Sequence, residues 1–159
     1  MFRTKRVQPA KETKMFKHVL IPTDGSPLSK KAVKAGIAFA KEFRARVTVY
    51  HAVEVIPPYA EGGFGIPSVL EQIEAAARKQ GQKYLDGATK VAQAATVACE
   101  SLISKPETVY RGIIDVAKKK RCDVIFMASH GRGGMASLLL GSVTLKVLAH
   151  SKIPVVVFR

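Results

Sequence analysis

The chain has 159 residues, room for one compact domain and little beyond it. Hydrophobic residues make up 47% of it, enough to build a core, so a disordered chain is excluded as the starting assumption. Lys and Arg outnumber Asp and Glu by 26 to 12, a formal charge of +14. That favours anionic partners without choosing among nucleotide, nucleic acid and acidic membrane surface.

The first 14 residues, MFRTKRVQPAKETK, hold five basic residues and one acidic one. They lack the apolar stretch of a signal peptide, and nothing later approaches transmembrane length, so no membrane insertion is expected. Residues 1–14 read as a solvated, flexible basic arm, and 15–159 as the folded domain. The domain stays strongly basic without the arm. No recognition helix or RNA-binding signature occurs, so nucleic acid is not expected as a partner. Cys99 and Cys122 form no CxxC pair and have no His at ligand spacing. They read as reduced thiols of a cytoplasmic chain.

His18-Val19-Leu20-Ile21 is a near-continuous apolar run, the pattern of a strand buried on both faces of a parallel sheet. It ends at the turn cluster Pro22-Thr23-Asp24-Gly25. Ser26 then caps a helix with Pro27 at its first position, and Ala32, Val33, Gly36, Ile37, Ala40 and Phe43 share one face of it. A second strand covers 46–53. Residues 54–67, EVIPPYAEGGFGIP, form a long loop of the kind that often covers a site. Ser68 to Glu71 reads as a capping box opening an Ala-rich helix to about Ala95.

A third strand runs from Val97 to Ile103. Val109, Ile113, Val116 and Ala117 mark a helix that ends in Lys118-Lys119-Lys120-Arg121, a run suited to the negative end of the macrodipole. Asp123 to Ala128 is a fourth strand and leads into a Gly-rich loop. A helix follows from Gly141-Ser142 to His150, and Pro154 to Phe158 closes the chain as a fifth strand. Strands alternating with helices predict a doubly wound α/β domain with a five-stranded parallel sheet. Such sheets bind ligands at the carboxyl ends of their strands, where strand order reverses. Two loops follow strands in the required way, Pro22–Ser26 and Ser129–Ser142.

Gly131, Gly133 and Gly134 let backbone amides turn toward a ligand with no side chain between. Gly141-Ser142-Val143 opens a helix, whose first amides lack intrahelical partners and carry its positive dipole end. That is a natural phosphate site, to which the Ser142 hydroxyl adds a donor. From the residues alone a second reading stays open, in which these glycines only end a strand and shape a turn. No GxxxxGK[ST] loop occurs, and no GxGxxG follows the first strand. Asp24 is a lone carboxylate at a strand end, without the acidic cluster of a response regulator. It either accepts hydrogen bonds from a base or ribose, or belongs only to the turn.

Residues 15–159 resemble the universal stress protein family. Met15 to Ser26 is similar to the family's first strand and loop. Ser129-His130-Gly131-Arg132 through Leu138-Leu139-Leu140-Gly141-Ser142 resembles its ATP-binding subclass, whose pattern is Gly, two residues, Gly, nine residues, then Gly-Ser or Gly-Thr. The first Gly of that pattern falls on Ala128, a small step that is expected to leave binding in place, if weaker. The resemblance implies a Rossmann-like fold with strand order 3-2-1-4-5. It also implies binding of ATP, or of AMP or ADP, by a stress-responsive regulatory module with slow or no hydrolysis. A ligand-free dimeric adaptor and a genuine ATPase are the alternatives.

By position, Asp24 with Pro22 and Thr23 would border adenine and ribose, and the Ala52 backbone would meet the adenine edge. Met127 and Ala128 would line the floor. Gly131, Arg132, Gly141, Ser142 and Val143 would surround the phosphates, with His130 contributing its backbone. A divalent cation, Mg or Mn, would accompany the nucleotide on phosphate oxygens rather than in a protein cage. His51 and His130 lack the further ligands that a protein-held metal requires, and His18 and His150 read as structural. The resemblance further implies a homodimer through the strand at 154–158, which alone would be an exposed apolar edge.

Overall fold

A computed structural model describes residues 15–55, 67–132 and 140–159. The basic arm, most of the loop expected over 54–67, and Gly133, Gly134, Leu138 and Leu139 lie outside the described residues. In chain order the elements are β1 (His18–Pro22), α1 (Pro27–Glu42), β2 (Arg46–Ala52), α2 (Pro67–Ala94) and β3 (Cys99–Ser104). Then come α3 (Val109–Lys119), β4 (Val124–Ala128), α4 (Ser142–His150) and β5 (Val155–Phe158). All strand pairs are parallel and the sheet order is β3-β2-β1-β4-β5, the arrangement expected.

The period-two alternation of each strand sends side chains to two separate cores. Val19 and Ile21 of β1, Val47 and Val49 of β2, and Val124 and Phe126 of β4 pack under α1 and α2. Leu20, Tyr50, Ile125 and Met127 fill the opposite face under α3 and α4. Both faces are therefore dry, which is why the strands read as continuous apolar runs. On the first face the rings form a chain: Phe39 lies 5.6 Å from Phe126, and Phe126 lies 6.4 Å from Phe158.

Local signals explain most boundaries. The Ser26 side chain accepts from the Ser29 amide at 3.2 Å and so starts α1 one residue before Pro27. The capping box read at Ser68 does not form as expected. The helix α2 already includes Pro67, so Ser68 lies inside it, and proline at a first helical position serves as the start. Lys118 and Lys119 occupy the last turn of α3 as the dipole favours. Lys120 instead reaches the Glu100 carboxylate at 2.8 Å. His18 is a fastening: its Nδ1 meets the Lys120 carbonyl at 3.0 Å and its Nε2 meets the Thr48 hydroxyl at 2.7 Å. Cys99 and Cys122 are free thiols, and burial pushes the Cys122 thiol up to about 12, far from reactivity at neutral pH. No described helix is long and apolar enough to cross a membrane.

Phe126 is buried and packs its ring between Phe39 of α1 and Phe158 of β5. Phe126→Ala should lower unfolding free energy by about 3–5 kcal/mol, read from urea titration, with the sheet still formed by circular dichroism.

Candidate functional site

β1 has β2 on one side and β4 on the other, so the chain leaves the sheet in opposite directions after these two neighbours. The crevice so created lies at their carboxyl ends and is bounded by the loops after β1 and after β4.

The first loop is tied down on every side. The Thr23 amide donates to the Tyr50 carbonyl at 2.8 Å, and the His51 Nδ1 meets the Thr23 carbonyl at 2.8 Å. Thr23 and Ser29 share a hydroxyl–hydroxyl bond of 2.8 Å. One oxygen of Asp24 accepts from the Ser26 amide at 3.0 Å, which closes the turn. The other accepts from the Arg132 amide at 2.8 Å, which joins the two loops. Burial works against the charge on Asp24. Hydrogen bonds from Ser26 and Arg132, together with the Arg132 guanidinium, outweigh it and hold the carboxyl below its ordinary 3.8.

The second loop is pinched at its base, where the Gly141 amide donates to the Ser129 carbonyl at 2.7 Å. The Thr144 hydroxyl donates to the Ala128 carbonyl at 3.0 Å and fixes α4 against the end of β4. Gly141 is the N-cap of α4 and makes no side-chain cap, so the first amides of that helix open toward the crevice. A Cβ on Gly131 would run into the Asp24 carboxylate, and one on Gly141 would come within 3.1 Å of the His130 Cα. Glycine is thus required at both points where this loop closes on its surroundings, and both residues line the crevice beside the start of α4, an arrangement suited to phosphate oxygens.

All twelve residues singled out from sequence line one cavity of about 410 Å³. Pro22, Thr23 and Asp24 come from β1 and its loop, Ala52 from the end of β2, and Met127 and Ala128 from β4. His130, Gly131 and Arg132 enter from the β4 loop, and Gly141, Ser142 and Val143 from the start of α4. Ala128 lines the cavity without closing it. The sequence reading left out Ser29, Tyr50, Val109, Ile113, Thr144 and Glu54, and weighed His51 only as a metal ligand. Val109 and Ile113 could have been found by extending the apolar face of α3 one turn past the sheet. Glu54, beyond the end of β2, carries no local signal. The Ser129 hydroxyl lies 3.2 Å from His130 Nδ1, but Ser129 is buried and outside the lining, so the pair is not a nucleophile and base.

These features define an α/β domain with an anion-receptive cleft at its topological switch. The chain belongs to the universal stress protein family, whose model, "Universal stress protein family", matches residues 15–159. It is 34% identical over 150 residues to a universal stress protein of Methanocaldococcus jannaschii, covering 91% of this chain and 83% of that one. A universal stress protein of Bacillus subtilis is 31% identical over 149 residues, covering 91% of this chain and all of that one (100%).

Among solved structures, the universal stress protein UspA from Lactobacillus plantarum superposes with a TM-score of 0.77 at 21% identity, covering 91% of this chain and 98% of that one. A universal stress protein solved in complex with cAMP gives 0.67 at 21% identity, covering 91% and 97%. A family protein from Arabidopsis thaliana with AMP bound gives 0.64 at 15%, covering 89% and 90%. At these identities the structural likeness speaks for the fold.

Asp24 has a folded-state value below its unfolded one, so the stability it contributes is complete above the ordinary carboxylate range and is lost as pH falls through the folded value. Asp24→Asn should therefore destabilise the protein at pH 7, and the difference from wild type should shrink below about pH 4 in paired urea titrations. A gap that stays constant from pH 7 to pH 3 would mean that the carboxylate charge plays no part.

Proposed function

We propose that the crevice binds an adenine nucleotide, ATP or its ADP and AMP forms, and that the chain is a stress-responsive regulatory module of the cytoplasm. One observation carries the reading: the start of α4, which has no side-chain cap, lines one cavity of about 410 Å³ together with Gly131 and Arg132. A helix N-terminus contributes only ~0.3–1 kcal/mol at an exposed surface, so several amides have to act together on one anion. Gly131, Arg132, Gly141, Ser142 and Val143 surround the phosphates in this reading, and His130 serves through its backbone. Asp24, Pro22 and Thr23 take the ribose and adenine, Ala52 meets the adenine edge, and Met127 and Ala128 form the floor. The AMP and cAMP complexes of proteins with this fold support the ligand class.

Hydrolysis is slow or absent in this reading. Asp24 spends both oxygens on amides, and its lowered pKa makes it a poor base toward water. Glu54, the other carboxylate of the lining, stands beyond β2 rather than on the phosphate loop. No group of three or more His, Cys, Asp and Glu able to hold a metal occurs among the described residues. An Mg or Mn ion would therefore rest on the phosphate oxygens.

Equilibrium binding of labelled ATP to wild type and to Gly141→Asp tests the assignment. The substitution adds a carboxylate where phosphate is proposed and crowds His130, so affinity should fall about tenfold or more, at least 1.4 kcal/mol. Equal affinity in the two proteins removes the site. Among the described residues the β5 strand pairs only with β4 and is half-buried along its length, which supports a homodimer formed across that edge. Sedimentation equilibrium should give twice the chain mass, and a monomer at high micromolar concentration would remove the dimer.

A further inference from the structure

A second recess of about 420 Å³ lies on the opposite face of the sheet, between α1 and α2, within the size range of small-molecule sites. Its floor is apolar, made by Val33, Ala88 and Val91 with the Tyr84 ring. Lys30 and Lys34 reach its rim from α1, and Lys83 from α2. Among the described residues no carboxylate lines it, and none of these three lysines has an ion-pair partner. Three exposed lysines beside apolar surface, with no counter-ion among the described residues, suit an anion from outside.

The hollow is kept open by glycine in two ways. A Cβ on Gly87 would meet nothing within 4 Å, so that position of α2 faces empty space. Glycine within a helix costs stability relative to a residue such as leucine, which here would also cover the floor. Gly25 has φ +76, and a Cβ there would strike the Tyr84 ring. The bare loop gives that ring its place at the end of the recess near Thr23, which also lines the β1–β4 crevice. The concave shape admits a single molecule lying between two helices rather than a bilayer surface.

We propose that the α1–α2 groove is a second binding site, for a small amphipathic anion: a medium-chain monocarboxylate whose head meets Lys30, Lys34 and Lys83 and whose chain lies on Val33, Ala88 and Val91. Beside the lysines, Thr23, Gln80 and Tyr84 are the polar side chains of the lining, and among the described residues no carboxylate stands there to take a ribose, which favours an alkyl chain on Val33, Ala88 and Val91 over a second nucleotide. The proposal does not depend on what the other cavity binds.

The test is dodecanoate, below its micelle concentration, added to the full chain and followed by amide shifts in NMR and by calorimetry. Saturation at one molecule per chain, with shifts centred on Gly25 and on residues 83–91, is the expected result. Gly87→Leu should raise the melting temperature and weaken binding at least tenfold, so lost binding cannot be lost folding. Lys34→Glu with Lys83→Glu should weaken dodecanoate at least tenfold, and dodecanol should bind wild type at least tenfold more weakly than dodecanoate. Undiminished binding to Gly87→Leu, equal affinity for the alcohol, or shifts centred on residues 130–143 would each overturn the proposal. Capture by phosphatidylglycerol vesicles without binding of monomeric dodecanoate would overturn it as well.

Discussion

The crevice depends on one hydrogen bond, from the Arg132 amide to the Asp24 carboxylate at 2.8 Å. The two residues are far apart in the chain and meet only because β1 and β4 are neighbours in the sheet. A half-buried carboxylate is costly without partners, and here each oxygen has an amide donor. The interaction is thus a fold-level lock. It sets the distance between the loop after β1 and the loop after β4, and therefore the width of whatever fits between them. A Cβ at Gly131 would drive the loops apart at the same point, which explains glycine there without appeal to the ligand.

Net charge and local geometry have separate tasks in this molecule. A formal charge of +14 draws anions of every kind toward the chain. Screening limits that reach to about 8 Å at physiological ionic strength, so charge alone cannot choose among anions. Discrimination falls to short-range groups of fixed direction. At the β1–β4 crevice these are backbone amides, Arg132 and the carboxylates of Asp24 and Glu54, while at the α1–α2 groove they are lysines beside apolar side chains. The two recesses therefore differ in chemistry: lysines border only the α1–α2 groove, and the β1–β4 crevice has Arg132 and directed amides instead.

The strands were legible because burial on both faces leaves continuous apolar runs, and the short loop at Pro22–Ser26 because Ser26 and Pro27 are strong helix-start signals. Family resemblance, rather than composition, favoured a phosphate cradle over a simple turn at Gly131 and Gly141. What the sequence hid was long-range. Ser29 and His51 hold Thr23 from elements that come later in the chain, and nothing near either residue announces that contact. The start of α2 was misplaced because Ser-Val-Leu-Glu matches a capping box, while Pro67 one residue earlier serves as the start. The groove was invisible for a different reason: it is made by what Gly87 lacks, and an exposed helix glycine reads locally as a weak helix former.

The two amide bonds of Asp24 still leave it acceptor capacity for a ribose or a base. An ionised carboxylate offers about four lone-pair sites, and the Ser26 and Arg132 amides occupy two. A hydroxyl donor could therefore join without breaking either bond, and the loops need not separate to admit it. The same arithmetic separates binding from catalysis. Accepting a third hydrogen bond lowers the basicity of the carboxylate further, so the better Asp24 orients a sugar, the less able it is to deprotonate water. A site organised around this residue favours holding a ligand over turning it over.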